Sequence, residues 1–299
     1  MSKTIFHNDQ THWINLNSDN ETELRALFEE YNLDDQILAY TLDKNERAHL
    51  DYDRSTNTLV LIFNVPNQTK IDNHYETIPM TFIITNQTLI TITNKKNQYL
   101  YVHMKNMLAR DSGLTLFEFL FSSLFYITDS FFPYIEEINS ERVSVNNKLK
   151  QETTKKNLLY LSDLETGIVF LVSASKQNAV LLNQIKTHAI YKRLTEDEKE
   201  ELDDALIEAK QLVEMTQLSS QILQQLSVSY NNVLNNNLNE TIRILTVLSV
   251  LLTIPTIITG FFGMNVPLPL SDNPMAWIII IAMSGIIWVT LSYVLKRIL

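Results

Sequence analysis

The 299-residue chain has no cysteine. That excludes disulfide bonds and thiolate metal sites, and it fits a reducing compartment. Basic residues are outnumbered, 24 Lys and Arg against 34 Asp and Glu, and the net charge of −10 argues against nucleic acid as a partner. Glycine occurs only five times. No phosphate-binding loop is present, so nothing points to ATP as an energy source. The six histidines (His7, His12, His49, His74, His103 and His188) are scattered, with no pair at metal-ligand spacing. No nucleophile, base and metal constellation is legible. The chain is therefore expected not to be an enzyme and to carry no cofactor.

The most informative scarcity is of charge near the C-terminus. Ile244 to Phe262 has no charged side chain, and Ala276 to Leu295 has none either. At ~1.5 Å per residue the first run reaches roughly 28 Å, enough to cross a hydrocarbon core. Two spans at this end predict a multi-pass protein of the bilayer rather than a secreted one. Met1 to Gln10 lacks the apolar core of a signal peptide. The connecting loop VPLPLSDNP contains one charge, Asp272, whereas Arg243 precedes the first span and Lys296 and Arg297 follow the second. The bias of basic residues places both termini in the cytoplasm and the loop outside, as in a cell-membrane protein.

The polar residues of the first span are ordered. Thr246, Ser249, Thr253, Thr256 and Gly260 succeed one another at steps of 3, 4, 3 and 4. With Asn239 they occupy about a 100° arc of a helix. Such a stripe serves either close helix packing or the lining of an aqueous path. Two spans cannot enclose a path alone, so a pore requires several copies around an axis. Two of the scarce glycines, Gly260 and Gly263, lie at the outer end, and Gly263 opens Gly263-Met264-Asn265. Glycine lets the backbone leave a helix, and Gly with Asn also suits an ordinary helix end. Asn265 would carry an amide carbonyl to the mouth. Repeated around an axis it makes a ring of hard oxygens able to hold hydrated Mg²⁺ through its water shell.

Gly-Met-Asn at the end of the penultimate span, a short outer loop and one last span resemble the CorA family of magnesium transporters. The preceding YNNVLNNNLNETIRILTVLSVLLTIPTIITGFF is similar to the family's stalk-and-pore helix, and the resemblance is tight from about Val228 onward. It implies a homopentameric funnel that conducts Mg²⁺ inward, driven by the membrane potential, with Co²⁺ and Ni²⁺ as further candidates. It also implies site residues: Gly263, Met264 and Asn265 as the outer selectivity motif, Asn239 near the cytoplasmic entrance, Thr253 and Thr256 mid-pore, and Leu245 as a hydrophobic gate. Thr253 stands where the family often has Met. Asp204 falls on an acid that binds a regulatory divalent ion between subunits; on its own it is one of a solvated Asp203-Asp204 pair. The family's partner acid follows a strand matching TLVLIFNV, where this chain has Pro66-Asn67-Gln68; Asp51, Asp53 and Asp72 are near but do not align. The basic C-terminal tail is shorter than the family's. Two rivals stand beside this reading. One is a zinc transporter of the same shape, a branch that typically has Ile where Met264 stands. The other is a membrane-anchored sensor or scaffold that transports nothing.

The rest of the chain reads as soluble and α+β. Residues 1–110 form a cytoplasmic α/β domain, with strands at Thr11–Leu16, Thr58–Val65 (ended by Pro66), Met80–Thr85 and Thr88–Thr93, and short helices after Asn20 and over Leu33–Leu42. Residues 111–194 form a helical section: one helix over Thr115–Lys150, able to bend at Pro133, and another over about Lys155–Tyr191. A stalk helix covers 195–243 and runs into the pore helix, 244–265. The loop (266–275) and the second span with its tail (276–299) follow. From Thr195 to Phe262 the only breaker is Pro255, giving a rod of about 68 residues and roughly 100 Å that needs neighbours.

Overall fold

The computed structural model describes residues 1–7, 10–264 and 273–298. The chain divides into two compact units, Met1–Ser227 and Val228–Leu299, and the boundary falls inside one long helix.

The first unit is built on a six-stranded sheet: β1 (Ser2–Phe6), β2 (Thr11–Asn17), β3 (His49–Asp53), β4 (Thr58–Pro66), β5 (Thr77–Thr85) and β6 (Thr88–Thr93), in the order β1-β2-β6-β5-β4-β3. Only β2 and β6 run parallel; the other neighbours are antiparallel. β4 and β6 are buried at every position, which a sheet shows when helices cover both faces. The turn between β5 and β6 is the two-residue Asn86-Gln87, with Asn86 at φ 51, a left-handed conformation that Asn tolerates.

On one face lie α1 (Glu21–Glu30) and α2 (Asp35–Leu42). Asn20 caps α1 by accepting from the Glu23 N–H, and Asp34 caps α2 by accepting from Gln36. Their apolar stripes, Leu24, Leu27, Phe28, Ile37 and Leu38, close over Ile14, Leu16, Val60, Ile62, Ile83, Ile90 and Ile92. Each such side chain contributes roughly 1.5–3 kcal/mol relative to exposure.

The longer helices follow: α3 (Gln98–Arg110), α4 (Leu116–Asp129), α5 (Phe132–Gln151) and α6 (Lys155–Thr187). Trp13 and Phe6 pack edge-on against Phe119 of α4. α6 is docked on β4 by a side chain that behaves like a strand. The Asn178 amide accepts from the Asn64 N–H at 2.9 Å and donates to the Asn64 carbonyl at 2.8 Å, and both residues are buried. Partners 114 positions apart in sequence thus satisfy the sheet where β3, which pairs no further than Ile62, has stopped.

The structure revises several expectations. The strand β1, the strand β3 and the helix α3 are additions to the elements that the sequence pattern predicts. The first two are five-residue strands at the two edges of the sheet, partly buried at most of their positions. β4 runs through Pro66, whose carbonyl accepts from the Tyr99 hydroxyl. The expected single helix over Thr115–Lys150 is two. α4 ends at Asp129, and Pro133 lies in the first turn of α5, where its missing N–H costs nothing. α6 ends at Thr187, and Ala189–Arg193 is a separate 3-10 turn capped by His188.

α7 (Glu196–Phe262) starts where expected. Thr195 and Glu198 form a reciprocal cap, each side chain accepting from the other's backbone N–H. Within the first unit α7 is tied to its neighbours by Thr115 to Glu198 (2.7 Å), Ser122 to Glu201 (2.7 Å), Ser175 with Thr216 (3.0 Å) and Asn139 to Ser219 (3.0 Å). α8 (Ala276–Ile298) closes the chain.

Candidate functional site

In the second unit the last part of α7 and α8 run antiparallel. Arg243, Ile244, Val247 and Leu248 share one cleft with Ser292 and Leu295. The basic residue that enters the first span is therefore at the same end as the C-terminus of the second. Beyond this contact the pair covers little of itself. Leu245, Leu252 and Ile257 of α7 are 63–64% exposed, and Ile286 and Tyr293 of α8 reach 68% and 70%. Apolar surface of this extent is not stable in water; it calls for lipid and for other helices.

The hydroxyl stripe lies on an exposed face of α7: Thr246, Ser249, Thr253, Thr256 and Gly260 are all open, whereas Leu251, on the opposite side, is buried. Every hydroxyl of the stripe donates to the carbonyl one turn earlier: Thr246 to Ile242, Ser249 to Leu245, Thr253 to Ser249 (2.8 Å each) and Thr256 to Leu252 (2.9 Å). The proton of each is committed to the helix, so what each oxygen offers outward is lone pairs. The face is a row of weak, uncharged, hard acceptors, chemistry suited to a cation that keeps its water.

Pro255 interrupts the backbone ladder without ending the helix. Its missing N–H frees a carbonyl one turn back, and its own carbonyl accepts from the Thr259 hydroxyl at 2.8 Å.

At its C-terminal end α7 stops at Phe262. The Gly263 N–H still bonds the Thr259 carbonyl at 2.9 Å, and a Cβ on Gly263 would sit 3.1 Å from that oxygen. No described glycine has positive φ. Glycine at 263 relieves a tight approach to this carbonyl and does not serve a left-handed turn. Met264 follows, 46% exposed. Asn265 and Asp272 lie outside the described residues.

Of the other candidates on α7, Asn239 is exposed and Leu245 projects at 63% exposure. Asn232 and Asn235, which are not among the residues the sequence pattern singles out, are exposed too and continue the same 3–4 spacing towards the N-terminus. The seven-residue step from Thr246 to Asn239 to Asn232 is the signal that could have found them.

In the first unit Asp204 is exposed on α7, and its neighbour Asp203 is held by Lys186 at 2.6 Å. Among the described residues no group of three or more His, Asp or Glu could hold a metal ion. Asp53 is occupied by its own loop: it accepts from the Ser55 N–H and hydroxyl and from the Thr56 hydroxyl, and these bonds hold its carboxyl below the usual range. Asn67, which stands in the stretch where the resemblance implies a partner acid, is buried, its side-chain oxygen accepting from the N–H and hydroxyl of Thr69.

One charged cluster has no counterpart in the sequence pattern. Lys70 reaches Glu141 at 2.7 Å and Glu137 at 2.9 Å, and the Tyr75 hydroxyl donates to Glu137 at 2.6 Å. That hydroxyl, and then the Lys70 ammonium, holds the Glu137 carboxyl below its usual range. Residues some 70 positions apart leave no local pattern by which to find such a network.

Comparison with known proteins agrees across the chain. The Cobalt/magnesium transport protein CorA of Methanocaldococcus jannaschii is 21% identical over 291 residues, covering 95% of this chain and 90% of that protein. The complete structure of the CorA magnesium transporter from the same organism matches with a TM-score of 0.80 at 20% identity, over 99% of this chain and 93% of that one. The cytoplasmic domain of ZntB from Vibrio parahaemolyticus matches in fold, with a TM-score of 0.55 at 12% identity, over 77% of this chain and 88% of that one. Residues 8–297 match the family model described as CorA-like Mg²⁺ transporter protein. A match over nearly the whole length, on a chain with two uncovered apolar helices, shows that the protein belongs to the CorA-like Mg²⁺ transporter family.

Proposed function

We propose that the protein carries Mg²⁺ into the cell through a pore formed by α7 helices of five copies, with both termini cytoplasmic. The observation that carries the reading is the exposed stripe of Thr246, Ser249, Thr253 and Thr256, whose lone pairs face outward in a membrane-length helix of a CorA-family chain. Five such stripes around an axis give a wet, uncharged path. Gly263-Met264-Asn265 forms the outer ring, Asn239 the inner mouth, and Leu245 a constriction that closes by excluding water. A double charge crossing 100 mV gains ~4.6 kcal/mol, so the membrane potential suffices as the driving force. Co²⁺ and Ni²⁺ pass the same oxygen ring, which has no means of refusing them.

Asp204 takes the regulatory part. A divalent ion held between Asp204 and donors of a neighbouring copy keeps the copies symmetric and the pore closed, and loss of the ion opens it. Asp204→Ala then conducts at Mg²⁺ concentrations that silence the wild type; identical inhibition curves would remove Asp204 from gating.

Mg²⁺ uptake into liposomes containing the purified protein tests the core of the proposal. Wild type is expected to load Mg²⁺, and Asn265→Ala to lose at least tenfold. Zn²⁺ entry without Mg²⁺ entry would move the protein to the zinc branch. No flux of either ion would favour the sensor reading.

A further inference from the structure

We infer that the cleft between α7 and α8 at the Arg243 end binds one membrane phospholipid, its phosphate on Arg243 and a primary ammonium of its headgroup on Glu240. Such a site needs the two helices to lie in a bilayer. It is independent of which ion the protein carries.

The level of the cleft follows from the two uncharged runs. That of α7 begins at Ile244, directly after Arg243, and that of α8 ends at Leu295, directly before Lys296. The cleft takes Arg243 and Ile244 from one helix and Leu295 from the other. It therefore straddles the level at which both helices leave the hydrocarbon. Glu240 and Val247 each stand one residue on from Asn239 and Thr246. This face of α7 is thus ~100° around the helix from the hydroxyl stripe.

The cleft is about 410 Å³ in volume, with Ile244, Val247, Leu248 and Leu295 as apolar walls. Three polar side chains also line it: Glu240, Arg243 and Ser292. A Glu followed three residues later by Arg on a helix is well placed to pair with it. Here the ion pairs among the described residues include neither side chain. The Ser292 hydroxyl makes no hydrogen bond among the described residues, whereas Thr290, two residues earlier, donates to the Ile286 carbonyl. A cation, an anion and a hydroxyl donor thus converge on one apolar cleft with their bonding capacity unspent.

A phospholipid meets all of these groups at once. An unpaired guanidinium at the edge of the hydrocarbon is costly, and lipid phosphate is the anion present at that depth. The guanidinium fork matches phosphate in a bidentate pair. The Glu240 carboxylate then selects the headgroup. It repels one whose only charge is the phosphate, and a quaternary ammonium has no N–H to give it. A primary ammonium has three. Ser292 is left to donate to an ester carbonyl, and the walls cover the start of the acyl chains. A soluble phosphate would leave those walls bare.

Native mass spectrometry tests the site on the purified full-length protein, stripped of lipid and titrated with ethanolamine, choline or glycerol phospholipids of identical chains. The ethanolamine lipid is expected to bind at least threefold tighter than the other two. Arg243→Gln should weaken it at least tenfold and Ser292→Ala about twofold. Glu240→Gln should bring the ethanolamine and glycerol lipids to equal affinity. Val247→Phe, which fills the cleft and alters no charge, should weaken all three lipids; with Glu240→Gln it decides the matter if Arg243→Gln does not fold. Arg297→Gln is the control. Arg297 is exposed near the same end of α8 but does not line the cleft, so its loss should change binding less than twofold. Equal losses at 243 and 297 would reduce the effect to a general attraction of basic residues for the membrane surface and overturn the inference. Equal binding of all three lipids to the wild type would overturn it too, by removing Glu240 from the site. Displacement of the lipid by millimolar phosphoethanolamine would make a soluble phosphomonoester the ligand instead. Absence of lipid on the wild type, with dissociation of the oligomer by Val247→Phe on size exclusion, would give the cleft to a second copy of the chain and overturn the lipid site.

Discussion

Among the described residues three helices are long and apolar enough to cross a membrane: α6, α7 and α8. By length and composition they form one class. Their surroundings separate them. In α6, 39% of the most apolar window is buried inside its own chain; in α7 and α8 the figure is 6%. α6 buries Leu164, Ile168, Leu171 and Leu182 within the first unit, where it packs on α5 and the sheet, and it is anchored to β4 by Asn178. The other two have nothing to cover them. Hydropathy measures what a helix would lose in water, and it does not say which neighbour prevents the loss.

Aspartate substitutions at chosen positions sharpen this comparison. The largest effect is expected at Leu171, fully buried in α6. Leu171→Asp places an unpaired carboxyl in an apolar core and should exceed the ~2–5 kcal/mol of a buried Leu→Ala, leaving the first unit unfolded by circular dichroism. Next comes Ile281→Asp. Ile281 is 63% exposed within the chain, yet in a bilayer the change costs ~2.5–3.5 kcal/mol, read as reduced insertion in a membrane-integration assay. Val169, 59% exposed on α6, has nearly the same exposure as Ile281, and Val169→Asp is expected to change stability by no more than ~0.5 kcal/mol. If Val169→Asp proved as harmful as Ile281→Asp, α6 would not be a helix with a watered face and the comparison would collapse.

Two further substitutions test what fastens α6 and the helices beside it. Asn178→Ala orphans the buried N–H and carbonyl of Asn64, each worth ~1–3 kcal/mol, and should lower the denaturant midpoint of the first unit with an unchanged slope. His103, stacked on Tyr126, has its pKa lowered, first by burial and then by Arg110. The fold therefore prefers neutral His103. Its contribution is present above the ordinary histidine pKa of ~6.5 and is lost as pH falls from there through the lower folded value. The stability of His103→Gln should vary less with pH across that window, measured by thermal melts.

Much of this architecture is legible in the amino-acid sequence. The caps at Asn20 and Thr195, the Asn86-Gln87 turn and the continuous α7 depend on contacts within a few residues, and short-range contacts leave short-range patterns. The hydroxyl stripe is visible for the same reason, since its spacing is the period of the helix that carries it. What escapes depends on distance. β1 and β3 are strands because β2 and β4 offer them open edges, and the Lys70–Glu137–Glu141 cluster exists because α5 passes the loop after β4. Pro133 is plain in the sequence, but whether it bends a helix or starts one is decided by where α4 ends.

The sequence by itself determined that two segments require a membrane, that one face of the first is hydroxylated at helical period, and that no thiol and no phosphate-binding loop is present. Those properties follow from composition and from periods of three to four residues. Only the tertiary structure decided that α6, apolar enough to span, is docked on β4 through Asn178 and Asn64, that Asp203 is paired with Lys186, and that Lys70 joins Glu137 and Glu141. Each of these is a matter of which atoms come within about 3 Å of one another, and residues far apart in the chain acquire that distance only when it folds.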